Sequence, residues 1–383
     1  MRAMSGRRKL TLALLAVVFF ATIYVVRIRG DMVDFGVNYR AGGRLLQGEP
    51  LYRESDGHFM FKYFPISALA YAPLSVLPLE IAKVFWFALG ATCTVAMFVL
   101  ARRLVARGAA RHWAVLVVPA AVLAKFCLRE LKLGQINTVV TLIVLAMVWL
   151  LVDGKRKSRF SDFGAGALWG LATLLKPYGM IFLPYFVVTR NVKALLGGAG
   201  LFGLGFCVPW LLYGWRGNLE LHREWYRSLS ASTPAQLGVA DNVSLVGAFT
   251  KWTGDASLAF TLASAGVAVA AVAVLAVVRK GRGLDRSVVL ECGLLLTLIP
   301  MISPLGWDYQ FLTSVLAVSL LVEHFSDLSF RWLLAANFAI IALSVYDVMG
   351  RSAYRAFMDS SALTVCFVVV VGYLCASRWR RIA

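Results

Sequence analysis

Two acidic residues, Asp31 and Asp34, follow the first apolar run of this 383-residue chain. Asp34 opens a segment in which Phe35, Val37, Tyr39, Leu45 and Leu46, ended by Gly48 and Pro50, suggest a short helix lying at an interface. An aspartate at that place can cap the helix, accepting the free N–H groups of its first turn. It can also remove a proton from a hydroxyl. Spacing alone favours the cap, and one residue can do both. Lys62 comes next, among Phe61, Tyr63 and Phe64. Such a lysine is usually a snorkelling anchor, or it neutralises a phosphate as that group leaves. Gln135 and Asn137 enter a later apolar run; amides there join helices by hydrogen bonds or suit sugar hydroxyls. Lys176, with Pro177 and Tyr178, lies inside an apolar stretch, where a charge is costly and marks a functional candidate. Asp241, Asn242 and Ser244 close a long connection, and Ser303 to Gln310, with Trp307 and Asp308, form a tight turn.

The elements that position these residues are set by composition. The chain is 60% apolar and 15% charged, with a mean hydropathy of +0.74. Soluble domains carry about a quarter charged residues. The apolar residues fall in runs of about 17–24, enough to span a hydrocarbon core. One polytopic, all-α membrane domain over residues 1–383 is predicted. The net charge of +19 does not imply nucleic acid, because arginine and lysine gather in short connections rather than on one helix face. The six cysteines lie in or beside apolar runs without ligand spacing and read as small buried hydrophobes, and the four histidines are scattered. No metal site is expected. The run Leu10–Val26 follows a basic start but leads into Arg27 and Arg29 without a small-residue cleavage pattern, which reads as a retained anchor.

About twelve spans are predicted, near residues 10–27, 80–101, 113–129, 136–152, 163–176, 177–190, 193–213, 256–279, 287–302, 308–323, 331–347 and 359–377. The segment 64–78, with Pro65, Pro73 and Pro78, reads as re-entrant or interfacial. With these spans the basic clusters fall on one side: the N-terminus, Arg102 to Arg111, Lys155 to Arg159, Arg190 with Lys193, Arg279 to Arg286, and Arg378 to Arg381. That side is cytoplasmic by the positive-inside bias. Every candidate residue above maps to the opposite side. A transporter or lipid flippase would instead show inverted repeats and ionisable groups at the bilayer midplane, and the sequence shows neither.

In order, these pieces make a recognisable set: Asp34, Tyr39, Leu45 to Gly48, Tyr52, Lys62 to Pro65, Pro73 and Leu74, Gly134 to Asn137, Leu175 to Tyr178, Asn242 to Leu245, and Ser303 with Pro304. Over residues 30–310 the chain resembles glycosyltransferase family 87 of the GT-C superfamily. The resemblance implies a GT-C-type bundle and transfer of a sugar, best associated with mannose, from a polyprenyl-phosphate donor to a glycan or glycolipid acceptor. It implies no cofactor, and a site facing the exterior of a bacterial plasma membrane. Asp34 would be the catalytic base. Lys62 and Lys176, assisted by Arg40 or Arg44, would hold the phosphate. Tyr63, Gln135, Asn137, Tyr178, Asn242, Trp307 and Asp308 would contact sugar or acceptor. Where many members carry histidine after Ser-Pro-x-x-Trp, this chain has Asp308, Tyr309 and Gln310.

Overall fold

The computed structural model describes residues 6–106, 113–152, 160–281 and 287–379. Of the basic clusters, Arg2, Arg107, Arg111, Lys155, Arg156, Lys157, Arg159, Arg282, Arg286, Arg380 and Arg381 lie outside these residues. The described chain is all-helical, without a strand; Asn242 and Trp307 make a single isolated antiparallel bridge.

Nearly every predicted span is a helix. The first, α1 (Gly6–Ile23), runs on as a π turn through Ile28, and α2 (Val33–Leu46) is the short helix expected after it. The next four are α3 (Leu79–Val105), α4 (Ala114–Leu133), α5 (Asn137–Val152) and α6 (Ser161–Leu175). The chain breaks at Lys176, continues as a 3-10 turn, and resumes in α7 (Phe182–Val188). After it come α8 (Val192–Cys207), α9 (Trp210–Ser232), α10 (Leu245–Thr253), α11 (Ala256–Lys280) and α12 (Ser287–Ile302). The last are α13 (Val315–Glu323), α14 (Arg331–Leu343), α15 (Arg351–Asp359) and α16 (Ala362–Trp379).

Helix length tells a different story from the run of apolar residues. Among the described residues, only α3 and α11 are long and apolar enough to cross a bilayer alone. The number rises to four if the bent pairs α8–α9 (93°) and α15–α16 (58°) each count as one. A 15-residue helix such as α6 rises about 22 Å, short of a core of about 30 Å. The apolar runs are therefore cut: by Pro177 after α6, and by the 302–308 turn between α12 and the 3-10 start of α13. Twelve regular crossings do not follow from this architecture.

The centre of the bundle is α12 and α13, whose apolar faces are buried all round, packed on α4, α5 and α16. Such helices are hydrophobic on every side because every side meets protein. The segment 65–75 is a pair of short turns rather than a span, and it packs against α2. The contact is close: a Cβ on Gly42 would stand 2.7 Å from the carbonyl carbon of Tyr71. Cys93, Cys127, Cys292 and Cys366 are buried, as small hydrophobes should be, but Cys207 is exposed at the end of α8, where the chain turns away from its neighbours.

Candidate active site

The candidate residues converge where several helices end. α4 and α12 finish there, α5 begins there, and α6 stops at Lys176. Their other ends lead toward Arg279 and Lys280 and toward Arg190 and Lys193. A cavity of about 880 Å³ opens between these ends. Its polar wall carries Asp34, Asn38, Lys62, Tyr63, Arg129, Gln135, Lys176, Tyr178, Trp307 and Tyr309. Val33, Val37, Leu133, Met180, Ile181, Ile299, Ile302 and Leu305 make the apolar wall.

Asp34 is not a cap. α2 starts one residue earlier, its N-cap position is Met32 in the left-handed region at φ 61°, and no side chain caps it. Met32 is held there by its N–H, which donates to the Lys132 carbonyl at 2.9 Å. This turn leaves Asp34 half-buried on the first turn of α2, facing the cavity. Its Oδ2 accepts from Gln135 Nε2 at 2.7 Å. Asp31, three residues before, does not line the cavity and pairs loosely with Lys132 at 3.5 Å.

Gln135 is placed by the end of α4. Gly134 closes that helix with φ +70°, and Trp86 Nε1 donates to its carbonyl at 2.9 Å. Gln135 Oε1 accepts from Tyr63 OH at 2.7 Å and from Lys176 Nζ at 3.1 Å. Lys176 also donates to Asn137 Oδ1 at 2.8 Å, and its ammonium sits 5.0 and 5.1 Å from the ring centres of Tyr63 and Tyr178. One connected network thus runs from Asp34 through Gln135 to Tyr63 and Lys176, then to Asn137. Tyr178 is held in turn by the amide of Gln310. Lys62 reaches the cavity wall, and among the described residues its ammonium has no hydrogen-bond partner. Burial lowers its pKa from the usual lysine range, and the neighbouring Asp34 opposes that shift. Burial likewise pushes the Tyr63 phenol well up, so it stays a hydrogen-bond donor.

Four expected residues lie elsewhere. Arg44 is taken by Asp56, with N–O distances of 2.5 and 2.8 Å in a two-pronged pair, and does not line the cavity. That pairing, more than any other influence, holds the Asp56 carboxyl below its ordinary range. Arg40 is exposed on α2 and also off the cavity wall. Asn242 is fully buried as a fastener: its Nδ2 donates to the Leu237 and Pro304 carbonyls at 3.1 Å, and its Oδ1 accepts from the N–H groups of Ser244 and Gly306. Asp308 is buried against Arg129 at 2.7 Å. The physical reason is one of two. Each has a partner that satisfies it completely, or a position on the outer face of its helix.

Two residues escaped sequence reading. Arg129 lines the cavity and bridges Asp308 and Asp241, the latter at 2.6 Å, so it ties the two turns to α4. Glu130 lies behind the wall and accepts from Asn137 Nδ2 at 2.7 Å. Among the described residues no three His, Cys, Asp or Glu side chains converge as a metal-binding group.

A carboxylate, a free ammonium and a buried ammonium on one cavity wall are the equipment of a group-transfer enzyme with an anionic leaving group. The model of glycosyltransferase family 87 matches residues 61–304, and the chain belongs to that family. It is a glycosyltransferase. Among characterised proteins it is 27% identical, over 90% of its length and 84% of the relative's, to a polyprenol-phosphate-mannose-dependent alpha-(1-2)-phosphatidylinositol mannoside mannosyltransferase of Mycolicibacterium smegmatis. A crystal structure of ArnT from Cupriavidus metallidurans bound to undecaprenyl phosphate aligns with a TM-score of 0.49 and 12% identity, covering 98% of this chain and 78% of that one.

Proposed function

We propose that the protein is a mannosyltransferase of the GT-C type, set in a bacterial plasma membrane, that moves mannose from a polyprenyl-phosphate donor to a glycan or glycolipid acceptor on the outer side. The observation that carries this reading is the shared cavity of Asp34, Lys62 and Lys176 beside an apolar wall. The dependence of the mycobacterial relative on polyprenol-phosphate-mannose supports the choice of donor.

The step is a single displacement. Asp34 takes the proton of the acceptor hydroxyl as its oxygen attacks the anomeric carbon. The bond from that carbon to the phosphate oxygen breaks, and the phosphate leaves with the electron pair. Lys62 and Lys176 offset its charge by charge-assisted hydrogen bonds, which suffices for a monophosphate. No metal is invoked, because the cations of the wall occupy the role one would take. Gln135 holds the base with its nitrogen and the buried lysine with its oxygen, so the two are fixed relative to each other. The apolar wall suits the isoprenoid tail, and Tyr63, Tyr178 and Trp307 suit a sugar face.

The direct test is turnover of purified protein in lipid vesicles with radiolabelled polyprenyl-phosphate mannose, then with other lipid-linked sugars, with and without a chelator. Label transfer from the mannose donor, unchanged by chelator, is expected. Transfer from another sugar alone would remove the mannose assignment. Activity lost to chelator and restored by magnesium would remove the metal-free mechanism.

A further inference from the structure

Lys176 is only 2% exposed, yet the groups touching its ammonium are neutral: two amide oxygens and two phenol rings. A cation so far from water needs a countercharge nearby. The fields of two carboxylates reach it, Glu130 more strongly than Asp34. Asp34 faces the cavity and is read as the base. Glu130 has no such duty, since it is 1% exposed and lies off the cavity wall.

Its hydrogen bonds say what it does. Glu130 Oε2 accepts from Asn137 Nδ2 at 2.7 Å, and Oε1 accepts from the Thr138 N–H at 3.1 Å. With its nitrogen turned to Glu130, the Asn137 amide must present its oxygen to Lys176, and it does so at 2.8 Å. The reverse flip would set an NH₂ against an ammonium and a carbonyl against a carboxylate. The carboxylate therefore fixes the amide, and the amide fixes the lysine.

We propose that Glu130 is a positioning residue for the phosphate-binding lysine, keeping the Lys176 ammonium charged and aimed before the donor arrives. This rests on the reading of Lys176 as a ligand of the donor phosphate. The donor then meets a cation already in place, and no ordering of that side chain is charged against binding.

The test uses the full chain in vesicles with radiolabelled polyprenyl-phosphate mannose. Glu130→Gln keeps an oxygen for Asn137 and removes the charge. The donor KM should rise by about 2- to 150-fold, the range of coupling between contacting groups; kcat should fall with it, because the same ammonium offsets the leaving phosphate, and the acceptor KM should stay nearly unchanged. A second measurement needs no turnover: thermal unfolding of parent, Glu130→Gln, Lys176→Met and the double variant. Lys176→Met strands a buried carboxylate, so the double variant should melt above Lys176→Met. If Glu130→Gln lowers Tm equally in both backgrounds, or lowers kcat while sparing the donor KM, Glu130 is scaffold and the proposal fails. A parent that turns over no polyprenyl-phosphate sugar overturns the transferase reading and the phosphate role with it, even where the coupling in Tm survives.

Discussion

Asp34 and Asp31 differ by three positions in sequence and by everything that matters in space. Asp34 faces the cavity and holds a 2.7 Å bond to Gln135, while Asp31 pairs at 3.5 Å with an exposed lysine. Since Asp34 caps nothing, Asp34→Asn removes basicity without unmaking the helix start. A general base contributes ~10²–10⁴-fold to rate, so turnover should fall by that factor with expression and Tm close to parental. Asp31→Asn should stay within a few-fold of parent, about the effect of a surface pair. The opposite ranking in the same assay would transfer the role to Asp31. Lys62 supplies a second expectation. Burial holds its pKa below the ordinary lysine value, and only the protonated form attracts phosphate. Donor KM should therefore climb with rising pH before an exposed lysine would titrate. Lys62→Arg should push that climb to higher pH, because guanidinium stays charged; an unmoved profile assigns the titration to another group.

At the scale of elements, the turn after α4 leaves no room for a side chain beyond glycine. Gly134 has φ +70°, and a Cβ there would lie 2.6 Å from Phe35 Cβ on α2. Gly134→Ala should cost about 1–2 kcal/mol from backbone conformation alone, and more from the forced parting of α2 and α4. It should lower both Tm and kcat, since Gln135 and Asp34 sit on the two parted elements. Gly30→Ala, which meets nothing within 4 Å, is the silent control; equal Tm for the two variants would show that the contact is not under constraint. The helices themselves were legible because apolar runs and their proline breaks carry a strong signal. So was Lys176, because a lysine in such a run must be either costly or useful. Asn242 and Asp308 looked equally apt but turned out to be fasteners, and Arg44 belongs to Asp56. The partners that settle their roles include groups 12, 62 and 179 residues away, which no spacing rule reveals. Arg129 and Glu130 were hidden for the same reason. Side by side at the end of a predicted span they form no motif, while folding sends one to the loops and the other behind Lys176.

At the scale of the molecule, the candidate residues are gathered at one end of the bundle, and the described basic residues Arg102, Arg103, Arg190, Lys193, Arg279 and Lys280 sit at the other helix ends. In a background without native cysteines, Asp56→Cys and Glu220→Cys should react with an impermeant maleimide in intact cells, and Lys193→Cys only after permeabilisation. Labelling of position 193 from outside would reverse the proposed orientation. The sequence conveyed this sorting through charge alone, but it concealed the bend between α8 and α9. After that 93° bend α9 leaves Trp210, Leu211 and Leu212 exposed and, past a kink at Gly214 (φ +68°), Trp215 and Tyr226 as well, while Leu229 near its end and Thr233 and Gln236 just beyond it form part of the cavity wall. Set in the membrane proposed above, α9 would meet the bilayer surface at its exposed end while its other end builds the cavity wall, and so would act as a depth gauge. Its height follows the thickness of the hydrocarbon layer, and mismatch is answered by tilt. Acyl-chain length should then act on this enzyme as an effector does: in vesicles of one headgroup and graded chain length, turnover should pass through a maximum, and a flat response would show that the chamber is deaf to the membrane around it.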